Sequence, residues 1–214
     1  MGLPVLIMGE SGSGKTYSLK NFEPAEVSIF SVEKARLPFQ KKLPIKPHAK
    51  YQDILEVFKN PNKKAYVIDD SQYLLVNELF DGMQNGVNNF DLFKKLAMNF
   101  REIVHYVNDK LPDDVIVYFL HHTEQDKNTG KLSAKTVGKI LNDVLTIEGC
   151  FDIVLWARLD GLDHVFQTQS DGMCSCKSPE GMFEKIIPND CKYVDTTIRE
   201  YYGYITTPKK TDKK

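Results

Sequence analysis

The sequence predicts an α/β protein with a mainly parallel central sheet and helices on both faces. Short apolar runs of strand length alternate along the chain with segments of helical periodicity, the pattern that βαβ units produce. The first apolar run leads into a glycine-rich turn at residues 9–16, and a segment able to form a helix follows it. The 214 residues suit one domain, expected at 1–205, followed by a basic tail at 206–214 that we expect to be disordered.

The individual elements follow from this alternation. Apolar runs predict strands at residues 3–8, 27–32, 65–68, 115–120 and 151–157. Apolar residues at helical spacing predict helices at 17–22, 51–59, 71–80 and 90–107, with a shorter one at 139–146. We expect loops where the chain is polar or rich in glycine, asparagine or proline, at 34–50, 81–89 and 124–138. A β-hairpin is expected late in the chain, from segments 165–168 and 173–176 around the turn Ser170-Asp171-Gly172.

Composition limits the surroundings and partners of the protein. The formal net charge is −1, so any contact with nucleic acid must come from a local basic patch. The apolar run near the N-terminus is too short for a signal peptide or a membrane span. The four cysteines lack paired C-x-x-C motifs, which is typical of reduced thiols. We therefore expect a cytoplasmic protein with no membrane partner.

Residues 9–16 read GESGSGKT and fit G-x-x-x-x-G-K-[ST], the phosphate-binding P-loop, with a strand before it and a helix after it as the motif requires. The glycines let the backbone N–H groups converge on an anion. Lys15 is expected to reach the β- and γ-phosphates of a nucleotide, and the Thr16 hydroxyl to bind Mg²⁺. The alternative is a glycine and serine turn that only resembles the motif. The predicted nucleotide-binding residues are Gly9, Glu10, Ser11, Gly12, Ser13, Gly14, Lys15, Thr16 and Tyr17.

Two adjacent acids, Asp69 and Asp70, follow the predicted strand 65–68. An acid at the end of a buried strand is the group that completes a Mg²⁺ site beside a P-loop. Successive strand residues face opposite sides, so only one of the two is expected to point at the metal, and the sequence leaves open which. The alternative is that Asp70 or Ser71 simply caps the next helix.

Glu33 directly follows the predicted strand 27–32. If that strand lies beside the strand of the P-loop, its carboxyl end brings Glu33 close to the γ-phosphate, where a carboxylate can orient the attacking water. The alternative is an ordinary solvated glutamate paired with Lys34 or Arg36.

The predicted strand 115–120 runs into His121-His122. A polar group at this position can hydrogen-bond a γ-phosphate and move when the phosphate leaves. The alternatives are strand-end histidines that face solvent, or a core imidazole whose hydrogen bonds are satisfied.

These segments, in this order, resemble the RecA-like ATPases, most closely the small phage-type nucleotide-binding ATPases of single-strand annealing recombination. The resemblance covers about residues 3–190. It implies a RecA-like P-loop fold with a C-terminal β-hairpin, hydrolysis of ATP with Mg²⁺, and binding of single-stranded DNA that depends on the nucleotide. The residues it implies for catalysis are Lys15, Glu33 and His122, and those it implies for the metal are Thr16 with Asp70 or Asp69.

The resemblance also implies where DNA and a second copy bind. The two DNA-binding loops of the family correspond to segments 81–89 and 124–139, and the lysine that reaches a neighbour's ATP corresponds to Lys177. A homo-oligomer or filament is therefore expected, in the host cytoplasm if the protein is encoded by a phage.

The second of these segments is rich in lysine. A basic, glycine-containing loop suits contact with the phosphate backbone, although it lacks the aromatic residues on which bases stack. The alternative is a solvated surface loop. The predicted DNA-binding residues recur every four positions: Lys127, Lys131, Lys135 and Lys139.

Three other function classes remain open. An AAA+ type helicase loader shares the strand and Asp-Asp segment but carries a helical lid, whereas residues 151–190 predict strands. A small-molecule kinase needs an acceptor pocket and an arginine-rich lid. A nucleotide-binding scaffold would turn over slowly whether or not DNA is present.

Overall fold

The computed structural model describes residues 1–33, 36–87, 89–138, 141 and 145–205. The predicted tail at 206–214, Lys139 and most of the predicted helix at 139–146 lie outside the described residues. Within them the chain is an α/β structure around one mostly parallel sheet, which confirms the predicted class.

The sheet has the strand order β3-β2-β4-β5-β1-β7-β8-β9, with β6 paired to β5. All neighbours from β3 to β7 are parallel, whereas β7, β8 and β9 form an antiparallel meander. Strand β1, which leads into the 9–16 loop, is central, between β5 and β7. The strands are β1 Leu3–Gly9, β2 Val27–Ser31, β3 Ile45–Pro47, β4 Ala65–Asp69, β5 Ile116–Gln125, β6 Leu132–Ala134, β7 Ile153–Asp160, β8 Asp163–Gln167 and β9 Ile186–Pro188.

Helices cover both faces of the sheet, because alternate residues of the buried strands supply two apolar cores. One core joins Leu6 and Met8 of β1 to the helices α1, α2 and α3. The other joins Val5 and Ile7 to a short 3₁₀ helix and to α4. The helices are α1 Tyr51–Lys59, α2 Gln72–Gln84, α3 Asn89–Lys110 and α4 Cys191–Tyr201, with 3₁₀ helices at Tyr17–Asn21 and Ile147–Cys150. None of these helices is both long enough and apolar enough to cross a membrane.

The helix after the glycine-rich loop is shorter than expected. It is a five-residue 3₁₀ helix, Tyr17–Asn21, because Leu19 and Phe22 turn into the core and Pro24 follows at once. A helix of this length adds little dipole field at the loop, so the loop's own N–H groups and Lys15 must supply most of the attraction for an anion.

Two segments predicted as loops contain strands. Within 34–50, the short strand β3 pairs in parallel with β2 and forms the edge of the sheet. Within 124–138, β5 continues to Gln125 and pairs with β6, so this segment is largely a β-hairpin. The sequence does not show a clear strand pattern there, because the end of β5 carries polar side chains and only Leu132 and Ala134 of the hairpin are buried and apolar.

The end of the chain also differs from the prediction. The late hairpin joins β7 to β8 across Gly161, while residues 174 and 177 bridge Leu132 and Val154 instead of pairing with β8. The unpredicted helix α4 follows β9. Its N-terminus is capped by Asp190, whose side chain accepts hydrogen bonds from the backbone of Lys192 and Tyr193.

Candidate functional site

The glycine-rich loop, residues 9–16, leaves the carboxyl end of β1 in the conformation that its glycines allow. Gly12 and Gly14 have φ values of 83° and 89°, in the left-handed region that favours glycine. A Cβ at Gly9 would lie 2.5 Å from the Ser13 hydroxyl oxygen, so no larger residue fits there. Within the described residues, the N–H groups of Gly12, Gly14 and Thr16 donate no hydrogen bond, and they are available to an anion.

Lys15 is held within this loop. Its side chain is buried, and the ammonium group donates to the carbonyl oxygens of Gly9 at 2.7 Å and Glu10 at 2.8 Å. These two hydrogen bonds hold the ammonium group against the backbone of the loop.

Thr16 contacts Asp69 across the sheet. The Thr16 hydroxyl donates to Asp69 Oδ1 at 2.9 Å, with Oδ2 at 3.2 Å, and Asp69 is only 1% exposed. The two strands involved, β1 and β4, are not neighbours, because β5 lies between them. A hydroxyl and a carboxylate are the hard oxygen donors that Mg²⁺ prefers, and Mg²⁺ commonly takes few protein ligands and completes its shell with water and phosphate. No group of three or more His, Cys, Asp or Glu side chains among the described residues could hold a metal ion by itself.

Asp70 is turned away from this pair. Its φ is +60°, an unusual backbone conformation for a residue with a side chain, and it reverses the chain at the end of β4. Its Oδ1 lies 3.3 Å from His122 Nε2 on β5. The structure therefore gives the adjacent acids different partners, Thr16 for Asp69 and His122 for Asp70.

The two histidines of β5 have different environments. His121 is fully buried between the Ser71 hydroxyl and the Lys135 carbonyl, each 2.8 Å from a ring nitrogen. Burial lowers the pKa of His121 to about 4, so the ring is neutral at pH 7. His122 is half-buried and lies level with Gly9 in the register of β1 and β5. Only His122 is therefore placed to communicate with a group bound at the loop.

Glu33 lies farther along the sheet than the sequence argument assumed. The strand it follows, β2, is separated from β1 by β4 and β5. Glu33 is exposed, accepts a hydrogen bond from Asn77 Nδ2 at 3.1 Å, and lines a groove among α1, α2 and α3. The expectation that its strand adjoins the P-loop strand is wrong, and its catalytic role stays a prediction.

Three of the predicted DNA-binding lysines lie on one exposed ribbon. We call residues 123–135 the lysine hairpin; it carries Lys127, Lys131 and Lys135, all exposed. Asp126 closes its turn by accepting from the backbone of Asn128 and Thr129. The hairpin joins the site through the backbone, because the N–H of Lys135 donates to the carbonyl of His122 at 2.8 Å.

Lys177, predicted to act on a neighbouring copy, lies on the far side of β7. Its backbone exchanges two hydrogen bonds with Val154, at 2.8 and 3.0 Å, and its side chain is exposed. The segment thereby extends the sheet beside the part of β7 that β8 does not reach.

Two residues that the sequence did not single out support the loop from behind. His164 Nδ1 donates to the carbonyl of Ser13 at 3.1 Å. A Cβ at Gly14 would lie 3.1 Å from Asn189 Oδ1, and Asn189 is 9% exposed with no hydrogen-bond partner for its amide among the described residues. His164 lies on β8 and Asn189 directly follows β9, both more than 140 residues later in the chain, and no local pattern indicates such a contact.

A groove of about 520 Å³ opens beside the loop, with Arg158 and Trp156 of β7 on its other wall. Arg158 Nε donates to Gln167 Oε1 at 3.0 Å, and its guanidinium lies 5.7 Å from the Trp156 ring centroid.

No protein-family model matches the chain, and no curated protein matches it either.

Proposed function

We propose that this protein is a RecA-like ATPase of the cytoplasm that binds and hydrolyses ATP with Mg²⁺ at the 9–16 loop and binds single-stranded DNA at the lysine hairpin. One observation carries the proposal: the Thr16 hydroxyl and the Asp69 carboxylate meet at 2.9 Å, although 53 positions separate them in the chain. A glycine-rich turn that does not bind a nucleotide would not require its threonine to contact a buried acid at the end of a second strand.

Each residue of the loop has a defined task under this proposal. The backbone N–H groups and Lys15 hold the phosphates and offset their negative charge. Thr16 and Asp69 are the residues that would hold Mg²⁺, which supplies positive charge beside the phosphate oxygens when bound. His164 and Asn189 keep the loop in its curled form from behind.

A short chain of contacts links the nucleotide site to the lysine hairpin. Asp70 contacts His122, and the carbonyl of His122 accepts from the N–H of Lys135. A change at the γ-phosphate that moves His122 would therefore also move the hairpin backbone. This link supports a dependence of DNA affinity on nucleotide state, and in a filament the exposed Lys177 would face a neighbouring copy.

The groove beside the loop favours one alternative, a phosphotransferase. A space of about 520 Å³ next to residues 10–13, with Arg158 on its wall, could hold a small phosphate acceptor. The AAA+ alternative lacks such support, because the described residues after β7 form a sheet meander and a single α-helix where that class carries a helical lid.

The rate of ATP hydrolysis with and without single-stranded DNA tests the proposal. Wild-type protein should release free phosphate in a Mg²⁺-dependent reaction that DNA stimulates. Lys15→Ala should abolish it, whereas Lys59→Ala, which removes an exposed lysine of α1, should leave it unchanged.

Three results would contradict this assignment. Hydrolysis that persists in Lys15→Ala would exclude the loop as the site. Transfer of phosphate only to an added acceptor would favour the phosphotransferase. ATP binding with slow turnover that DNA does not alter would favour a scaffold.

A further inference from the structure

A second groove lies among α1, α2 and α3, at the end of β2. Its volume is about 780 Å³, and no residue of the 9–16 loop lines it. Its apolar lining includes Leu55, Leu74 and Leu92, from one helix each. Nothing in the proposed nucleotide chemistry uses this space, apart from Glu33 at its rim.

Two residues that line the groove each carry a polar atom with no hydrogen-bond partner in the described part of the chain. The Tyr51 hydroxyl oxygen and Glu78 Oε2 are both buried, and neither has a partner among the described residues. The other oxygen of Glu78 is used, since Asn99 Nδ2 donates to it and Lys95 Nζ lies 3.6 Å away. A buried polar atom left without a partner costs about 1–3 kcal/mol, and more when the group is charged. A ligand that donates to these atoms would recover that free energy.

The two residues line the same groove and interact electrostatically. Burial raises the pKa of the Tyr51 hydroxyl well above its usual value, and the negative charge of Glu78 raises it further. Burial also raises the pKa of Glu78. The hydroxyl and the carboxylate therefore interact electrostatically, although no hydrogen bond joins them.

The net charge of the groove lining favours a ligand with a positive charge. Four carboxylates face two ammonium groups and one imidazole, so the groove has an acidic excess. The carboxylates belong to Glu33, Glu78, Asp81 and Glu102, and the basic groups to His48, Lys50 and Lys95. A cation with several N–H donors fits this lining, whereas an anion would meet repulsion in addition to the unpartnered carboxylate oxygen.

We propose that this groove binds a guanidinium or ammonium group carried on an aliphatic stem. The head group donates to Glu78 Oε2 and to the Tyr51 hydroxyl oxygen, and the stem lies against Leu55 and Leu92. The group can belong to a free alkylamine or to an arginine or lysine side chain of a partner. The site does not depend on nucleotide binding at the 9–16 loop.

Calorimetric titration of the full chain with n-butylguanidinium tests the site, and N-butylurea serves as an uncharged ligand of the same shape. A ligand of this size should bind with a dissociation constant on the order of 1 mM. Butylurea should bind at least about tenfold more weakly, since a hydrogen bond to a charged group contributes more than one between neutral groups. This comparison needs no variant, so it holds even if a substitution impairs folding.

Variants then locate the site. Glu78→Gln should weaken binding by about tenfold or more, and Tyr51→Phe by about threefold. Glu102→Gln, which neutralises an exposed carboxylate of the same groove, should change it by less than about twofold. Equal binding of butylguanidinium and butylurea would overturn the proposal, as would equal losses in Glu78→Gln and Glu102→Gln.

The two possible sources of the cation are separated by a third ligand, N-acetyl-arginine amide. Tighter binding of this compound than of butylguanidinium would identify a partner's side chain as the occupant, because the peptide groups then add contacts. Weaker binding would identify a free alkylamine or alkylguanidine. Both results support the site, and failure of all three ligands to bind refutes it without bearing on the ATPase.

Discussion

Asp69→Asn is the substitution that most directly tests the proposed metal site, and Asp70→Asn is its matched control. Both remove one negative charge from adjacent buried positions at the end of β4. They differ in partner, since Asp69 accepts from Thr16 and Asp70 lies against His122. The two variants should therefore separate metal binding from the link to the lysine hairpin.

The size of the effect follows from the contact. A hydrogen bond to a charged acceptor contributes about 1.5–3 kcal/mol, and one to a neutral acceptor about 0.5–1.5 kcal/mol. Replacing the Asp69 carboxylate by an amide therefore costs about 1 kcal/mol or more at Thr16, which is about fivefold or more in an equilibrium constant. Loss of the charge that would face Mg²⁺ adds to this. Substitution of groups that merely support a metal ligand already costs about 10–100-fold, so we expect ATP hydrolysis to fall by about 100-fold.

The assay is the rate of ATP hydrolysis as a function of Mg²⁺ concentration for wild type and both variants. Asp69→Asn should raise the Mg²⁺ concentration needed for half-maximal rate by at least about tenfold. Asp70→Asn should leave that concentration within about twofold of wild type while it weakens the stimulation by DNA. The assignment of Asp69 as a Mg²⁺ ligand would be refuted if Asp70→Asn raised the Mg²⁺ concentration for half-maximal rate more than Asp69→Asn does, or if the two variants raised it equally.

Three further outcomes are expected. Replacing the three lysines of the lysine hairpin by alanine should make the salt dependence of oligothymidylate binding less steep. The slope of log affinity against log salt, measured by fluorescence anisotropy, should fall in magnitude by about 2. An unchanged slope would place DNA elsewhere. Acid should destabilise the protein through His121, whose folded pKa of about 4 lies below the usual 6.5. The unfolded chain takes up the proton first as pH falls from 6.5, so this residue costs about 3 kcal/mol by pH 4, and urea unfolding of wild type and His121→Gln should show the smaller pH dependence in the variant. Arg199→Met should cost about 3–5 kcal/mol in thermal or urea unfolding because it strands the buried Asp195 carboxylate, 2.7 Å from Arg199 Nε, and adding Asp195→Leu should recover part of that loss.

The sequence predicted best those elements in which the buried positions are occupied by apolar side chains. Helix α1 begins and ends where its apolar spacing predicts, and β1 and β4 appear where the apolar runs lie. Helix α4 was missed although Cys191, Val194 and Ile198 have helical spacing. The other two buried positions are charged residues, Asp195 and Arg199, which pair with each other. The lysine hairpin was missed because backbone hydrogen bonds join its strands and only two of its residues, Leu132 and Ala134, are buried and apolar.

The sequence by itself determined the 9–16 loop and the polar residues at the ends of the strands, since a glycine pattern and an apolar run are local features. It also determined the α/β class, because the alternation of strand-length apolar runs with segments of helical spacing is a local feature as well. Only the tertiary structure decided that Asp69 faces Thr16 and Asp70 faces His122, and that Glu33 lies two strands beyond the position expected for it. The physical reason is that strand order and the hand of each turn decide which distant residues meet. The presence of Tyr51 and Glu78 in one groove has the same origin, because the packing of three helices forms a groove from residues that no sequence pattern connects.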